Sequence, residues 1–366
     1  MSKIHISLVG GQTAPVYHGI IDSLPDQVIL IHSEQSEKEA LRIKNEIPIA
    51  AELCKLDPVD LQQIFSAVEK LAARFRESES ITVNISSGPK PWSVAFYSVF
   101  SQMKNAVIEY IDQNNKVWSF TDRKNHSVNF DMDAQFRLYG NPLKNYKCFS
   151  DYTDADRSVV EKIREMRNFN FKDFNDLTMQ MAKKPNETSQ TLPSGSHLTW
   201  FTKEKEFEFV LKKKGTIKKE VLKSPQVRQL LFNTGWFEYE IALILSQWEH
   251  AKEIRLNCMF PAKNKSAKNE IDIIVDTGAK LLFVECKTQI KNITDIDKFH
   301  SAVKNYGGLG SKALFITDAV MDETAKEKCQ DSSILTFSLQ NKMLGVDPEK
   351  MLFMLLNSEL FNINTK

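Results

Sequence analysis

The sequence predicts an α/β protein built in two parts, a doubly wound and mostly parallel sheet followed by a second α/β unit. Three observations carry this reading. Strand-like and helix-like segments alternate through residues 3–120, the rhythm of a sheet with crossover helices on both faces. Two of those strands run into turns rich in glycine and small hydroxyl residues, at 9–15 and 86–92. Residues 270–288 then place two carboxylates and a lysine inside apolar strand patterns, where charge is normally unwelcome.

The elements follow in order. The opening run Lys3-Ile4-His5-Ile6-Ser7-Leu8-Val9 reads as a first strand, being too short and polar for a signal peptide. Further strands are expected at 28–32, 81–85, 107–111 and 116–120, with a short one near 49–53. Helices are expected at 14–24, 36–46, 58–76 and 91–104. Open sheets of this kind bind ligands at the carboxyl ends of their strands, beside helix N-termini. Two crossings suit that use: Val9-Gly10-Gly11-Gln12-Thr13-Ala14-Pro15 and Ser86-Ser87-Gly88-Pro89-Lys90-Pro91-Trp92. Backbone N–H groups, hydroxyls and one lysine there would cradle phosphate. Neither has the spacing of a dinucleotide fingerprint or a P-loop.

Residues 141–196 contain Asn141-Pro142, a polar helix around 154–168 and the polar loop 185–195, and they read as a connector. Residues 197–222 look like entry strands of the second unit, with His197 in a structural role. The run 306–310, Tyr-Gly-Gly-Leu-Gly, looks like a helix stop before a strand at 312–317. From 322 onward the chain reads as helix, strand and helix.

Composition narrows the class. The chain has 366 residues, 42% hydrophobic and 26% charged, enough for two ordinary globular domains. No run of 18 apolar residues is present, so no transmembrane helix is expected. Five scattered cysteines suggest a reducing cytosol with neither a disulfide framework nor a zinc cluster. A net charge of +1 excludes a bulk-basic nucleic-acid binder. Between residues 201 and 312, however, 20 Lys and Arg stand against 14 Asp and Glu. Lys263, Lys265 and Lys268 lead into the charged strand, where they would hold phosphates without reading sequence.

The charged segment has a readable geometry. Ile271, Ile273 and Val275 alternate onto one face of its first strand, leaving Asp272 with Ile274 on the other. Leu281, Phe283, Glu285 and Lys287 share a face of the second strand. A type II′ turn centred on Gly278-Ala279 pairs residues whose numbers sum to 557, which sets Asp272 opposite Glu285. Opposed side chains have Cβ atoms about 5 Å apart, so two bare carboxylates there call for a cation. Oxygen-only ligands suit Mg²⁺ or Mn²⁺. Lys287 would orient the attacking water or stabilise transition-state charge, and Gln289 and Lys291 would lie near the scissile phosphate. Upstream, residues 233–248 form a helix starting at Thr234 or Gly235, with Phe237, Ile241, Ile244, Leu245 and Trp248 as its core stripe. Glu238 and Glu240 flank that stripe, and periodicity does not choose between them.

Asp272 followed by Glu285-Cys286-Lys287 resembles the PD-(D/E)xK nuclease motif in its E-x-K form, with Ile271 where the family name has proline. Gly235-Trp236-Phe237-Glu238 is similar to the Gly-Trp-Leu-Glu of that superfamily and favours Glu238. Asn84-Ile85-Ser86-Ser87-Gly88-Pro89-Lys90 resembles the signature of CARF domains, with Pro89 replacing the usual threonine. In this order the two motifs resemble the CRISPR ancillary nucleases of type III systems. The resemblance implies a Rossmann-like CARF domain over 1–140, a helical connector over 141–196 and a restriction-endonuclease-like PD-(D/E)xK domain over 197–366. It implies a cytoplasmic homodimer that binds cyclic tetra-adenylate across its CARF domains through Gly10, Gly11, Gln12, Thr13, Ser86, Ser87, Gly88 and Lys90. It further implies that Glu238, Asp272, Glu285 and the Cys286 carbonyl hold Mn²⁺ or Mg²⁺, with Lys287 assisting hydrolysis of DNA or RNA, single-stranded and with little sequence preference. Two rivals stand beside it. One is a nucleotide-sensing regulator with a degenerate nuclease fold. The other is an NAD-dependent oxidoreductase using Gly10-Gly11 and Glu34, against which the missing third glycine argues.

Overall fold

The computed structural model describes residues 2–184, 186–232, 234–261, 269–290, 293–308, 310–340 and 347–363. The first part alternates as the sequence predicts. Its elements are β1 (Lys3–Leu8), α1 (Ala14–Ser23), β2 (Gln27–His32), α2 (Glu37–Glu46), β3 (Ala51–Lys55), α3 (Leu61–Arg74), β4 (Ser80–Asn84), α4 (Lys90–Phe100), β5 (Ala106–Ile111), β6 (Lys116–Ser119), β7 (Asn125–Ser127) and α5 (Met132–Leu138). The sheet order is β3-β2-β1-β4-β5-β6-β7. The first five strands in that order run parallel, and β6 and β7 close the edge antiparallel. Central strands without polar alternation, such as Val28-Ile29-Leu30-Ile31, are buried on both faces, as a helix-covered parallel sheet requires. One face packs on α3 and α4 through Ile64, Val68, Trp92 and Phe96. The other packs on α1, α2 and α5 through Val16, Ile20, Ile43 and Leu138.

The second part contains β8 (Asn145–Cys148), a short 3₁₀ turn (Phe149–Asp151), α6 (Asp154–Phe169), α7 (Phe171–Lys183), β9 (Ser189–Thr191), β10 (His197–Phe201), β11 (Glu206–Lys213), β12 (Thr216–Lys223), α8 (Val227–Leu231), α9 (Gly235–Ser246), β13 (Glu253–Phe260), β14 (Asn269–Asp276), β15 (Leu281–Lys287), α10 (Thr294–Tyr306), β16 (Lys312–Thr317), α11 (Glu323–Asp331), β17 (Ile334–Ser338) and α12 (Pro348–Phe361). A six-stranded sheet runs β17-β16-β15-β14-β13-β8, and a four-stranded sheet runs β12-β11-β10-β9. Between them lies one core, to which α6, α7, α8 and α9 contribute Ile163, Phe174, Leu230 and Phe237. The far face of the six-stranded sheet packs on α10 and α11 through Ile296, Phe299 and Ala325.

Residues 141–196, read from the sequence as a connector, are built into this second part. Strand β8 pairs with β13 at the sheet edge. Helix α6 starts on a reciprocal cap, Thr153 and Asp156 exchanging backbone and side-chain hydrogen bonds, and its Val159, Ile163 and Met166 enter the shared core. Helix α5 belongs to both parts: Ala134 and Leu138 face the first core, while Met132 and Phe136 enter the second. Asp133, on the same helix, pairs with Arg255 of β13. Among the described residues, no helix is long and apolar enough to cross a membrane.

Candidate functional site

The β14–β15 hairpin has the register read from the sequence. Asp276↔Leu281, Val275↔Leu282, Ile274↔Phe283 and Ile273↔Val284 all sum to 557. Gly278 has φ +76°, whereas Ala279 is not in the positive-φ region, the pattern of a II′ turn. The pairing stops one step before Asp272 and Glu285. There Asp272 Oδ2 accepts the Cys286 N–H at 2.8 Å, so a carboxylate takes the hydrogen bond that a strand carbonyl would.

The cause lies in β13. Asn257 has φ +51°, a left-handed conformation that asparagine tolerates better than most residues. The alternation slips there. Leu256 and Ile273 join the core on the α9 side, whereas Cys258 and Ile271 join the opposite one. The expectation that Ile271 shares the face of Ile273 and Val275 is therefore corrected. The slip frees Asn257 and Asp272 from strict alternation and opens the sheet toward α9.

Helix α9 brings Glu238 to this opening. Its start approaches α8 so closely that a Cβ on Gly235 would lie 2.2 Å from the Gln229 carbonyl oxygen, so only glycine fits. Glu238 is buried, and its Oε2 accepts the Asn257 amide at 2.9 Å. Burial first, then the charge of Asp272, pushes its carboxyl above the usual range. Glu285 is raised by the same two causes, against the opposing charge of Lys287. Burial alone would lower the Lys287 ammonium, but Asp272 and Glu285 outweigh it and hold it up. Lys287 Nζ lies 2.5 Å from Glu285 and 3.4 Å from Asp272. It also donates to the Cys286 carbonyl at 3.3 Å, the atom the sequence reading gave to a metal.

Glu240 is placed elsewhere. It pairs with Arg164 of α6, which also reaches Asp318 after β16 at 2.5 Å. Of the two helix carboxylates, Glu238 is the one that faces Asp272. Asn257 was not singled out from the sequence. It belongs to a chain of amides, Gln229 donating to Asn257 and Lys147 of β8 to Gln229. A lone Asn in the run Arg-Leu-Asn-Cys carries no local signal of that partnership. Lys263, Lys265, Lys268 and Lys291 lie outside the described residues.

As placed, among the described residues no group of three His, Cys, Asp or Glu side chains is arranged to hold a metal ion. Lys287 stands between Asp272 and Glu285 instead. The donors nonetheless suit a hard divalent cation: they are oxygen only, and two of the three are held above their usual range by burial and mutual charge, which a cation would reverse.

The second candidate site lies in the first part. The chain order reverses between β1 and β4, and ligands bind such sheets at that switch point. The loops after β1 and β4 meet there. The Gly10 N–H donates to Ser87 Oγ at 3.0 Å, and a Cβ on Gly10 would lie 2.7 Å from the Gly88 nitrogen. A cavity of about 510 Å³ is lined by Gly10, Gly11, Gln12, Ser86, Ser87 and Gly88. It also takes in Ser33, Gln35, Ser36 and Glu39 from the loop after β2 and the start of α2, which the sequence reading did not include. The residues Ser-Glu-Gln-Ser after a predicted strand were the signal available for them.

Other expected contacts fall differently. Thr13 is 1% exposed, and among the described residues its hydroxyl has no partner. Lys90 is exposed and opens α4, outside the cavity lining. The Ser86 hydroxyl is already engaged, donating to Asn84 Oδ1 at 2.5 Å and accepting the Ile111 N–H at 2.7 Å. Glu34, the ribose partner of the oxidoreductase reading, pairs with Lys55 on the surface. A larger hollow of about 720 Å³ between α3 and α4 opens at the amino ends of the strands, away from both loops.

The strand order, the switch point and the paired loops define the first part as a Rossmann-like, doubly wound α/β domain. Residues 4–138 match the family described as the Card1 CARF domain, so this part is a CARF domain. The whole chain has the fold of Can2 from Sulfobacillus thermosulfidooxidans, solved in complex with cyclic tetra-adenylate, at TM-score 0.68 and 18% identity over 98% of this chain and 99% of that one. It is similar to protein VC1899 from Vibrio cholerae at TM-score 0.74 and 14% identity, covering 97% and 98%. A type III CRISPR defence DNA nuclease activated by cyclic oligoadenylate matches at TM-score 0.63 and 14% identity, covering 97% of this chain and 52% of that one. No curated protein matches the chain by sequence.

Proposed function

We propose that the protein is a divalent-metal-dependent endonuclease of CRISPR defence that is activated when a cyclic oligoadenylate, cyclic tetra-adenylate in the first instance, occupies the cleft between the Gly10–Gln12 and Ser86–Gly88 loops. One observation carries the reading: Glu238, Asp272, Glu285 and Lys287 converge where β14 and β15 part, on the chain that carries the CARF cleft. The Can2 complex with cyclic tetra-adenylate and the oligoadenylate-activated DNA nuclease support it by likeness of fold. Two copies would face their CARF clefts to one two-fold ring, the symmetry a closed dimer offers.

Glu238, Asp272 and Glu285 would hold Mn²⁺ or Mg²⁺. When bound, the ion supplies Lewis-acid polarisation of the phosphate and acidifies a water. The chain's own residues do the rest. Asn257 would fix one oxygen of Glu238. Lys287, beside Asp272 and Glu285, would present its ammonium to the phosphate and offset charge developing in the transition state. DNA or RNA cleavage by this group, with little sequence preference, is measured by incubating the protein with Mn²⁺ and labelled strands, with and without each cyclic oligoadenylate. Ring-dependent, Mn²⁺-dependent cleavage is expected. Ring binding with no cleavage of either nucleic acid would favour a sensor with a degenerate nuclease fold, the reading that the insertion of Lys287 between two carboxylates favours.

Asn257 tests the geometry separately. Asn257→Gly keeps the left-handed backbone but removes the donor to Glu238. Losing a partner that orients a ligand typically costs about 10- to 100-fold in metal affinity or activity. Asn257→Gly is therefore expected to raise the Mn²⁺ concentration for half-maximal cleavage by about tenfold, with a smaller loss of melting temperature than Asn257→Ala. Asn257→Ala is expected to lower the melting temperature as well, since alanine is strained at positive φ.

A further inference from the structure

A lysine and a glutamine stand in file behind Asn257, and their order fixes which of its atoms meets Glu238. Lys147 of β8 donates its ammonium to the side-chain oxygens of Gln226, at 2.5 Å, and of Gln229. Gln229 donates its amide to Asn257 Oδ1, and Asn257 donates its own amide to Glu238 Oε2 at 2.9 Å. Local structure sets up this file. Strand β8 lies at the edge of its sheet, and its pairing with β13 slips between Leu256 and Met259, the kind of irregularity that re-aims a side chain. Lys147 lies opposite Leu256, at the start of the slip. Gln229 is carried by α8, whose backbone lies against Gly235 at the start of α9.

A side-chain amide can face either way, because its oxygen accepts and its nitrogen donates. An ammonium cannot, having three donors and no acceptor. Lys147 therefore supplies the direction. It takes the Gln229 oxygen, which leaves Gln229 only N–H to offer Asn257. Asn257 answers with its oxygen, which leaves its own N–H for Glu238. Without the lysine, Gln229 is free to turn its oxygen to Asn257 and to compete with Glu238 for that one amide. Burial lowers the Lys147 ammonium, while Asp156 and Asp151 favour the charged form that donates. We propose that Lys147 is a positioning residue for the candidate metal site: it orients Gln229 and Asn257 in series, so that the Glu238 carboxylate meets a donor and is held in place for the ion. The proposal rests on the nuclease reading and adds to it a residue that reaches the carboxylates only through two amides.

Charge alone makes the opposite prediction, so the sign of the effect decides. Removing a cation near a metal site, or adding an anion there, strengthens binding of a divalent ion by Coulomb attraction. Orientation in series makes both changes harmful. The full chain is titrated with Mn²⁺, with and without cyclic tetra-adenylate and with no nucleic acid, and the free ion is read by its electron paramagnetic resonance signal. Losing the partner that orients a ligand typically costs about 10- to 100-fold in metal affinity, so Lys147→Met, one amide further out, is expected to weaken Mn²⁺ binding about fivefold. Lys147→Arg, again donors only, is expected to bind Mn²⁺ as the parent does. Gln229→Glu keeps Lys147 paired but has no N–H for Asn257, and is expected to weaken Mn²⁺ binding about tenfold. It carries the test should Lys147→Met fail to fold. In an Asn257→Gly protein the file is already broken, and Lys147→Met is expected to cost nothing further. Mn²⁺ affinity unchanged or increased in either folded variant overturns the relay and leaves the nuclease reading intact. So does a loss in Lys147→Arg as deep as in Lys147→Met, or a Lys147→Met loss that simply adds to that of Asn257→Gly. A parent that binds no Mn²⁺ in either condition, and cleaves neither DNA nor RNA with any cyclic oligoadenylate, removes the nuclease reading and the relay with it.

Discussion

Lys287→Ala is expected to lower cleavage by about 10²–10³, the cost of losing one preorganised group that stabilises developing charge, while making the fold respond more strongly to Mn²⁺. The two effects separate because Lys287 lies 2.5 Å from Glu285 and 3.4 Å from Asp272. It sits where a shared cation would. Without it, two carboxylates whose side chains are only 13% and 14% exposed lose their counter-charge, and breaking such a pair typically costs about 3–5 kcal/mol. A divalent ion restores that charge without having to displace an ammonium. Thermal melts across a Mn²⁺ titration, beside single-turnover cleavage, measure both. Glu285→Gln should do the reverse for stability: a higher melting temperature without metal, little response to Mn²⁺ and no cleavage. A Lys287→Ala protein that melts and responds to Mn²⁺ as the parent does would remove the lysine from the site.

Gly10→Val is expected to abolish activation by the ring, with apparent affinity falling at least about 100-fold. The nearest atoms to a new Cβ belong to the backbone of Gly88, which cannot rotate away. The two loops would be forced apart, and overpacking of this kind costs about 1–3 kcal/mol. Gly11→Ala separates the fold from the ligand. Nothing lies within 4 Å of a Cβ at Gly11, so the protein should melt normally. If the ring's phosphates approach that backbone, binding should still weaken. Isothermal titration with cyclic tetra-adenylate reads both variants. Full affinity in Gly10→Val would place the ring elsewhere.

Much of this was legible in the chain because it is local. Alternation with period two and a glycine turn were enough to fix the 557 register of the β14–β15 hairpin, and all four observed pairs obey it. The parallel strands of the first part were legible for a related reason, since burial on both faces leaves continuous apolar runs such as Val28–Ile31. What escaped is non-local. The slip in alternation at Asp272 depends on Asn257, fifteen residues away and on another strand. Periodicity alone did not separate Glu240 from Glu238, and what places Glu240 elsewhere is Arg164, 76 residues upstream. The segment read as a connector carries β8, whose pairing partner is β13. A short polar strand such as Asn145–Cys148 has no apolar face to announce which sheet it will join.

The tip of the hairpin touches the CARF domain. Asn115, in the turn between β5 and β6, donates its side-chain amide to the Ala279 carbonyl at 2.9 Å. Gln12, which also lines the cleft between the β1 and β4 loops, lines the cavity beside that tip, together with Ala279, Lys280 and Leu281. Asp272 and Glu285 stand at the other end of the same two strands. Those strands act as a lever arm of about 20 Å, from the rise per residue of extended chain. A tilt of about 3° at the tip would carry the carboxylates about 1 Å, the scale of misplacement that costs a catalytic centre about 10²-fold. Under the proposed function, a few degrees of rotation about the hairpin tip would suffice to switch the centre, with no large domain rearrangement.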